Sequence, residues 1–196
     1  MKPNIKAGLV VLIFALSCTK ENAEKKTVPA IQNSSNAIKA STTHFIGESY
    51  GGGFIVYLDT VTGHGLISAP ENQNSGIVWA PDSNYTLVGA KGKAIGTGPK
   101  NTQKIISAFG TSGAAYAALI CVNYRGGGFS DWYLPSRDEL FQASLQKDFL
   151  PDHTGGNYWS SSERDSKTTY FVHFHNNLKS NFDKSDTFHV RAMRSF

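Results

Sequence analysis

The alternation of hydrophobic and polar positions predicts a β-hairpin early in the folded part of the chain. Residues 54–58 read Phe-Ile-Val-Tyr-Leu, and residues 66–69 read Leu-Ile-Ser-Ala. Residues 62–65 between them read Thr-Gly-His-Gly, and glycine readily supplies the positive φ of a tight hairpin turn. A further apolar run at residues 76–80, Gly-Ile-Val-Trp-Ala, predicts another short strand.

The middle of the chain is predicted to be helical, because three stretches begin with residues that cap helices. Asn-Thr opens residues 101–109, and Thr-Ser opens the Ala-rich residues 111–122. The third stretch, residues 136–146, starts after a proline with Ser136 and carries Glu139 three positions later. That pair is a capping box, in which each side chain accepts a hydrogen bond from the other residue's backbone amide.

Strand-like patterns return in the C-terminal third. In residues 170–175, Tyr-Phe-Val-His-Phe-His, the histidines His173 and His175 alternate with apolar residues, which predicts a half-buried strand. The candidate strands of this third are residues 157–162, 170–175, 179–183 and 188–194. Strands, then helices, then strands indicate an α+β domain in which distant segments share a sheet.

The first residues of the chain predict a secretory signal. Lys2 and Lys6 precede an apolar run at residues 7–17, and Cys18 follows directly. The run is shorter than the roughly 20 apolar residues that a transmembrane helix needs, but it has the length and flanks of a signal peptide. A small residue followed by cysteine is similar to the lipobox of bacterial lipoproteins, which implies a signal peptide of residues 1–17 and lipidation of Cys18. The alternative is a secreted protein whose cysteine has no such role.

Residues 18–45 are interpreted as a flexible tether, because they show no period of 2 or 3.6 and are rich in polar residues. Two or more acyl chains hold a protein stably on a membrane, so the predicted partner of this segment is a lipid bilayer. Thr19, in place of Asp after the cysteine, resembles lipoproteins of the outer membrane, and Lys20-Glu21 is similar to signals for export to the cell surface. The folded domain is then residues 46–196.

The net charge of +4 comes from the N-terminal segment and not from the domain. Residues 1–45 contain six lysines and two glutamates, whereas residues 46–196 contain 13 basic and 13 acidic residues. Nucleic-acid binding needs an excess of Lys and Arg on the folded surface, because affinity depends on the number of phosphates neutralised. The balanced domain therefore predicts no nucleic-acid partner.

Few residues of the domain form a pattern typical of catalysis or metal binding. His173 and His175 would lie on one face of a strand and could bind zinc together with His189, but a half-exposed strand explains them without a metal. Cys121, the one cysteine after Cys18, lies in an apolar helical stretch and is expected to be a buried free thiol. We therefore expect no catalytic residue, no resident metal and no cofactor.

Aromatic and polar residues in loops are the remaining candidates for ligand binding. Sugars pack their C–H faces on aromatic rings, while amide and guanidinium groups hydrogen-bond to the hydroxyls. The loop that starts with Asn123, Tyr124 and Arg125 precedes three glycines, and loops carry function disproportionately. Trp79 lies beside a Pro- and Asn-rich loop and is also a candidate, whereas the other two tryptophans are expected in the core.

Six motifs of the domain together resemble a known family. Trp-Tyr-Leu-Pro-Ser at residues 132–136 and Tyr-Trp-Ser-Ser-Ser-Glu at residues 158–163 are the most specific of them. The other four lie at residues 52–57, 64–70, 96–102 and 190–194. In this order they are similar to the C-terminal domain family of Lcl, a collagen-like bacterial adhesin, over about residues 47–196.

The resemblance implies a C-type-lectin-like α+β fold, with short antiparallel strands and two to three helices, and a binding role at the cell surface. It also implies a glycan ligand, including the sulfated glycosaminoglycans that the adhesin binds as a trimer. A polyanion would need a cluster of basic residues, for which the candidates are Lys179, Lys184, Arg191 and Arg194. The alternatives to a lipid-anchored glycan-binding protein are an enzyme, similar to formylglycine-generating oxidases or to zinc hydrolases, and an envelope protein that binds only proteins.

Overall fold

The computed structural model of this chain describes residues 43–81 and 85–196. The predicted signal peptide, the lipidation site Cys18 and nearly all of the tether lie outside the described residues. The described residues belong to one compact unit. Within this part of the chain, no helix combines the length and the apolar character that a lipid bilayer requires for a crossing.

Strands come first, helices follow and strands return, so the α+β class predicted from the sequence is confirmed. The first strands are β1 (Ser49–Tyr50), β2 (Gly53–Leu58), β3 (Gly65–Ser68) and β4 (Asn74–Val78). The helices are α1 (Gly98–Phe109), α2 (Ala117–Asn123) and α3 (Arg137–Leu145). The last strands are β5 (Asn157–Glu163), β6 (Thr168–His173), β7 (Leu178–Asp183), β8 (Thr187–Val190) and β9 (Met193–Ser195).

The strands form two sheets, with the orders β1-β2-β3-β9 and β4-β8-β5-β6-β7. Paired strands run antiparallel except β5 and β8, which are parallel. The predicted hairpin is formed by β2 and β3, and its register shifts between Ile55 and Tyr57. Such a bulge bends the strand and changes the direction of the side chains next to it.

The strand predicted at residues 188–194 is wrong as a single element, because the chain changes sheets in the middle of it. β8 pairs with β4 and β5 in the larger sheet, whereas β9 pairs with β3 in the smaller one. Arg191 and Ala192 connect the two strands, and both are fully buried. The alternation seen in the sequence therefore spans a crossing between two sheets.

Two of the three predicted helix starts are wrong, because the residues expected as caps have other roles. α1 begins at Gly98, and the buried side chain of Asn101 exchanges hydrogen bonds with the backbone N–H and carbonyl of Gly92. α2 begins at Ala117, well after the expected Thr-Ser cap. Asn101 therefore fixes a preceding loop against the helix instead of starting the helix.

The capping box predicted for α3 is confirmed. Ser136 Oγ accepts a hydrogen bond from the Glu139 amide at 3.3 Å, and the Glu139 carboxylate accepts one from the Ser136 amide at 2.7 Å. Glu139 is fully buried and also accepts a hydrogen bond from the Gly96 amide at 2.7 Å. Burial raises the pKa of Glu139 above its ordinary value. The same side chain thus caps α3 and holds the loop around Gly96 that leads into α1.

Two hydrophobic clusters form the core, one against α1 and α2 and the other against α3. The expected burial of Trp132 and Trp159 is confirmed, since they are 2% and 0% exposed. Cys121 is a buried free thiol as expected, and burial raises its pKa far above the ordinary value. Trp79 is also fully buried, and its Nε1 donates to the carbonyl of Ser160 at 2.8 Å. The prediction that Trp79 contacts a ligand is therefore wrong.

Candidate functional site

Two neighbouring pockets open beside the end of β9, and Ser195 lines both of them. Their volumes are about 550 and 500 Å³. Both also border the segment that enters α1, because Ile95 and Gly96 of the preceding loop line the larger pocket and Pro99 in the first turn of α1 lines the smaller one. We call the larger one the hairpin pocket, the smaller one the helix pocket, and the two together the Ser195 groove.

The hairpin pocket is built around the β2–β3 hairpin. Its lining residues are Tyr57, Asp59, His64, Gly65, Leu66, Ile95, Gly96, Ser195 and Phe196. Tyr57 directly follows the bulge of β2, so the irregular register sets the direction of its ring. Tyr57 and Phe196 provide aromatic surface, and Asp59 and His64 provide polar groups in the same pocket.

The polar side chains of the hairpin pocket are oriented by backbone contacts. Asp59 Oδ1 accepts hydrogen bonds from the amides of Val61 and Thr62 at 2.9 and 3.3 Å, and these bonds lower the pKa of Asp59. His64 Nδ1 lies 2.9 Å from the carbonyl oxygen of Phe196. His64 Nε2 makes no hydrogen bond within the described part of the chain and can serve a ligand, whereas the Asp59 carboxylate also accepts a hydrogen bond from the Thr62 side chain.

The helix pocket lies between α1, α2 and the segment that leads to α3. Its lining residues are Pro99, Thr102, Gln103, Ile106, Ser107, Val122, Asp131, Trp132, Tyr133 and Ser195. Asp131 is the one charged side chain among these described lining residues. Arg194 donates to both of its carboxylate oxygens, at 2.8 and 2.9 Å, and this pairing lowers the pKa of Asp131. The helix pocket is therefore mostly apolar, with one carboxylate whose charge is balanced.

The predicted ligand residues Asn123 and Tyr124 lie at a separate pocket of about 360 Å³. The Tyr124 hydroxyl donates to Glu71 Oε1 at 2.6 Å, and burial together with this carboxylate raises the pKa of Tyr124. Arg125 is exposed, and its Nη1 donates to the carbonyl oxygens of Val122 and Tyr124, both at 2.7 Å. The guanidinium of Arg125 thus satisfies carbonyls at the end of α2.

Arg191, another predicted ligand residue, is fully buried and cannot reach a ligand at the surface, so this prediction is wrong. Its Nε and Nη2 donate to Asn72 Oδ1 at 3.1 and 2.8 Å. Its other acceptors are the carbonyl oxygens of Ala69, Pro70, Pro151 and Asp152. Burial lowers the pKa of Arg191, but five oxygen acceptors surround the guanidinium. The residue joins loops of the fold instead of binding a ligand.

The cluster of basic residues expected to bind a polyanion does not form. Lys184 is 1% exposed, and its Nζ lies 2.7 Å from Glu163 Oε1 inside the protein. Arg191 is fully buried, and Arg194 is 8% exposed. Of the four residues predicted for this cluster, Lys179 alone is exposed. Three of the four candidates for a polyanion-binding cluster are therefore interior residues.

Lys179 belongs to a different group of cations, near the ring of Tyr170. Lys93 Nζ and Arg137 Cζ lie 4.8 and 5.4 Å from the centre of that ring. Asp138 links Arg137 and Lys179, with nitrogen–oxygen distances of 2.9 and 3.5 Å. We call Lys93, Arg137 and Lys179 the Tyr170 patch. It carries three cations and one carboxylate, whereas the described residues that line the Ser195 groove include two carboxylates, Asp59 and Asp131, and no Lys or Arg.

The histidines that suggested zinc are not grouped as a set of three metal ligands in the described residues. The ring centres of His173 and His175 are 6.3 Å apart. His189 Nε2 lies 3.0 Å from Thr154 Oγ1, and its ring centre lies 5.0 Å from that of Tyr158. Between residues 43 and 81 and between residues 85 and 196, no three His, Cys, Asp or Glu side chains are placed to hold one metal ion.

The sequence analysis missed the four side chains that shape the hairpin pocket, namely Tyr57, Asp59, His64 and Phe196. The sequence around Tyr57, Asp59 and His64 predicts a strand and a turn, and the structure contains both. The pairing of β3 with β9 brings Phe196 next to the hairpin. No local sequence motif indicates the contact of Phe196 with the hairpin, because these residues are far apart in the chain.

Comparison with known proteins identifies a family and a similar solved structure. Residues 70–194 match the Lcl C-terminal domain family. No curated protein sequence matches significantly. Among solved structures, a fimbrial protein from Bacteroides ovatus ATCC 8483 is similar, with 18% identity and a TM-score of 0.44. The similarity covers 66% of this chain and 35% of the fimbrial protein, so the chain matches about a third of that protein's length.

Proposed function

The chain belongs to the Lcl C-terminal domain family, and from this premise we propose that it is a lipid-anchored binding protein of the bacterial cell surface. Its domain recognises a glycan in the Ser195 groove and does not convert it chemically. The family match over residues 70–194 supports a surface-binding role, the sequence of residues 1–18 supports a lipid anchor, and Thr19 supports its place in the outer membrane.

The hairpin pocket is the observation that carries the proposal. A sugar ring presents C–H groups on its faces and hydroxyls at its edge, so it fits aromatic surface flanked by hydrogen-bonding groups. Tyr57 and Phe196 supply the aromatic surface, and Asp59 and His64 supply the hydrogen-bonding groups. Because the pKa of Asp59 is lowered, its carboxylate is ionised at neutral pH and accepts hydrogen bonds from hydroxyls.

The titration of the groove carboxylates argues against a general acid among them. A general acid near neutral pH needs a raised pKa, whereas the pKa values of Asp59 and Asp131 are lowered. An oxidase similar to the formylglycine-generating enzymes would need reactive cysteines. Cys121 is buried with a strongly raised thiol pKa, which disfavours the thiolate that acts as nucleophile and metal ligand.

A glycan array with the full-length chain in detergent tests the proposal. We expect binding to at least one class of sugar, and Tyr57→Ala and Asp59→Asn should each weaken it by about tenfold or more. Tyr124→Ala and Arg125→Ala are matched controls outside the groove and should keep the wild-type affinity. A blank array would contradict glycan binding and favour an envelope protein that binds only proteins. Loss of binding in the Tyr124 or Arg125 variant alone would move the site out of the groove.

The proposed anchor is tested by metabolic labelling with radioactive palmitate. The wild-type chain should take up label and sediment with outer membranes, and external protease should reach it on intact cells. Cys18→Ser should abolish the label and release the protein, because the attached acyl chains provide the membrane affinity. Cys121→Ala is the control and should keep the label. An unlabelled wild-type protein would contradict the anchor while leaving glycan binding intact.

The Tyr170 patch favours a second candidate function, the binding of an anionic glycan such as a glycosaminoglycan. Lys93, Arg137 and Lys179 face one carboxylate there, so an excess of positive charge is available to sulfate groups. Retention on a heparin column should then decrease in the variant with Lys93→Ala and Lys179→Ala. Lys100→Ala, an exposed lysine of α1, is the control. Equal retention of all these proteins would reject this second function.

Two simple measurements separate the remaining alternatives. Light scattering of the purified chain gives its oligomeric state, for which the family resemblance suggests a trimer. Metal analysis addresses the enzyme alternative, since stoichiometric zinc in the purified protein would favour a hydrolase over a binding protein.

A further inference from the structure

We infer that the Ser195 groove binds consecutive units of one extended, uncharged sugar chain, with Ser195 at the junction between the units. This inference rests on the proposed function and specifies its ligand. The hairpin pocket takes one unit and the helix pocket takes the next. A sulfated or carboxylated chain is excluded from the groove, and it would bind only at the Tyr170 patch.

The continuity of the groove follows from its two shared borders. Ser195 lines both pockets. The segment that enters α1 also borders both pockets, since Ile95 and Gly96 of the preceding loop line the hairpin pocket and Pro99 in the first turn of α1 lines the helix pocket. Each pocket has a volume of about 500 Å³ or more, within the range of roughly 300–1,000 Å³ that is usual for small-ligand sites.

Both borders of the junction are held in place before a ligand arrives. Ser195 is paired with Leu66 in the β3–β9 ladder. The loop before α1 is fixed by the buried Glu139, whose Oε1 accepts a hydrogen bond from the Gly96 amide at 2.7 Å. Thr97 closes a turn in the same loop, since its amide and hydroxyl both donate to the carbonyl of Ala94. A preformed groove loses little affinity to ordering when a chain binds.

The charges of the groove determine which chain it accepts. No Lys or Arg is among the described residues that line either pocket. The ionised Asp59 faces the hairpin pocket and repels a sulfate or uronate. The guanidinium of Arg194 is not available to a ligand, because it donates to Asp131 and to the carbonyl of Gly51. Its Cζ also lies 3.8 Å from the centre of the Phe129 ring. An anionic group would therefore find repulsion and no available cation.

The test measures affinity against chain length with the full-length protein. The probes are neutral gluco-, manno-, galacto- and N-acetylglucosamine oligosaccharides of one to four units, together with heparin disaccharides as the anionic series. In one neutral series the two-unit chain should bind at least about tenfold more tightly than the single unit. No heparin disaccharide should be displaced by that neutral chain.

A substitution at the junction makes the test specific. Ser195 is exposed, so Ser195→Tyr adds bulk between the pockets without entering the core. It should remove the gain from the second unit, measured as the ratio of the two affinities, whereas Lys100→Ala, at an exposed lysine outside both pockets, should keep that ratio. Circular dichroism and a thermal melt confirm that the Tyr variant is folded.

The possible outcomes separate a failure of the two-unit groove from a failure of the proposed glycan binding. Affinity that does not depend on chain length, or a gain that survives Ser195→Tyr, overturns the two-unit groove while glycan binding stands. Heparin binding that is lost on Tyr57→Ala overturns the exclusion of anionic chains. Absence of binding to every sugar overturns the proposed function itself.

Discussion

At the scale of single residues, polar side chains that the sequence places at the surface form part of the interior. Lys184 Nζ lies 2.7 Å from Glu163 Oε1 and also donates to the carbonyl of Thr86 at 3.2 Å. The Glu163 carboxylate in turn accepts hydrogen bonds from the amides of Val88 and Gly89 at 2.9 and 2.8 Å. Each charge is compensated, so removal of one partner leaves the other charge buried and unpaired.

Lys184→Met should therefore lower the free energy of unfolding by about 3 kcal/mol or more. The expected measurement is urea denaturation followed by tryptophan fluorescence. Lys179→Met is the matched control, because Lys179 pairs with Asp138 at the surface, and it should change stability by less than about 1 kcal/mol. The double variant Lys184→Met with Glu163→Gln should recover part of the loss. Equal stability of the Lys184 and Lys179 variants would contradict a buried ion pair.

Asp131 should contribute to the loss of stability in acid. Arg194 lowers its pKa below the ordinary 3.8, so the unfolded chain takes up this proton more readily than the native protein. The contribution is fully present above about pH 4 and is lost as the pH falls through the lower native pKa. Asp131→Asn should lower the melting temperature at pH 7 and make its decline below pH 4 less steep. Melting curves between pH 2 and 7 measure this, and an unchanged slope in the variant would contradict it.

The burial of a single residue is predicted reliably from the sequence when its side chain is predominantly apolar. The burial of Trp132, Trp159 and Cys121 is predicted correctly, because the tryptophans lie in core-like motifs and Cys121 lies in an apolar helical stretch. The prediction fails for Trp79, since the long loop after this residue masks its position at the end of β4. It also fails for Arg191, whose five oxygen acceptors come from distant loops.

At the scale of elements, caps illustrate what local sequence can determine. The box at the start of α3 is read correctly, because Ser136 and Glu139 satisfy each other within one turn. The starts of α1 and α2 are misread, because Asn101 has its partners outside its own helix. A polar residue at the right spacing indicates a cap only when no tertiary partner competes for it.

Ser136→Ala should lower the free energy of unfolding by about 1–2 kcal/mol, because it removes the N-cap of α3. It also removes the hydrogen bond from Ser136 Oγ to the carbonyl of Ala94 at 2.9 Å. Ser112→Ala provides the control, since α2 starts at Ala117 and Ser112 is exposed. Chemical denaturation of both variants measures the difference. A larger effect at Ser112 than at Ser136 would restore the cap predicted for the second helix.

At the scale of the whole molecule, the last strands tie the two sheets into one cooperative structure. β8 and β9 are consecutive in the chain but belong to different sheets, and Arg191 lies at the crossing. Its guanidinium bonds to the loop between β3 and β4 and to the loop before β5. Separation of the sheets would break these bonds together.

Arg191→Met should consequently destabilise the protein by about 4 kcal/mol, because it leaves several buried oxygens without a donor. Hydrogen exchange should show that amides of β3 and β6 lose protection to the same extent, as expected for one cooperative unit. Arg125→Met, at an exposed arginine, is the control and should have an effect below about 1 kcal/mol. Loss of protection in one sheet alone would show that the sheets unfold independently.

The class of the fold is predictable at this scale, whereas the groove is not. The order of strands, helices and strands follows from periodicity, and the family follows from short motifs. The groove combines Tyr57 and His64 with Ser195 and Phe196, which meet through the β3–β9 pairing. Periodicity identifies a strand but does not name its neighbour in the sheet, so the site depends on information that the local pattern lacks.

The crossing at Arg191 has a consequence for how related sequences can diverge. Four of its five acceptors are main-chain carbonyls, at Ala69, Pro70, Pro151 and Asp152. Every amino acid supplies the same carbonyl oxygen. Substitution of the side chains in these two loops therefore keeps the hydrogen bonds to Arg191. Homologues can vary there and still retain the fold. An arginine at the crossing is accordingly a better marker of shared architecture than the identity of the loops that it holds.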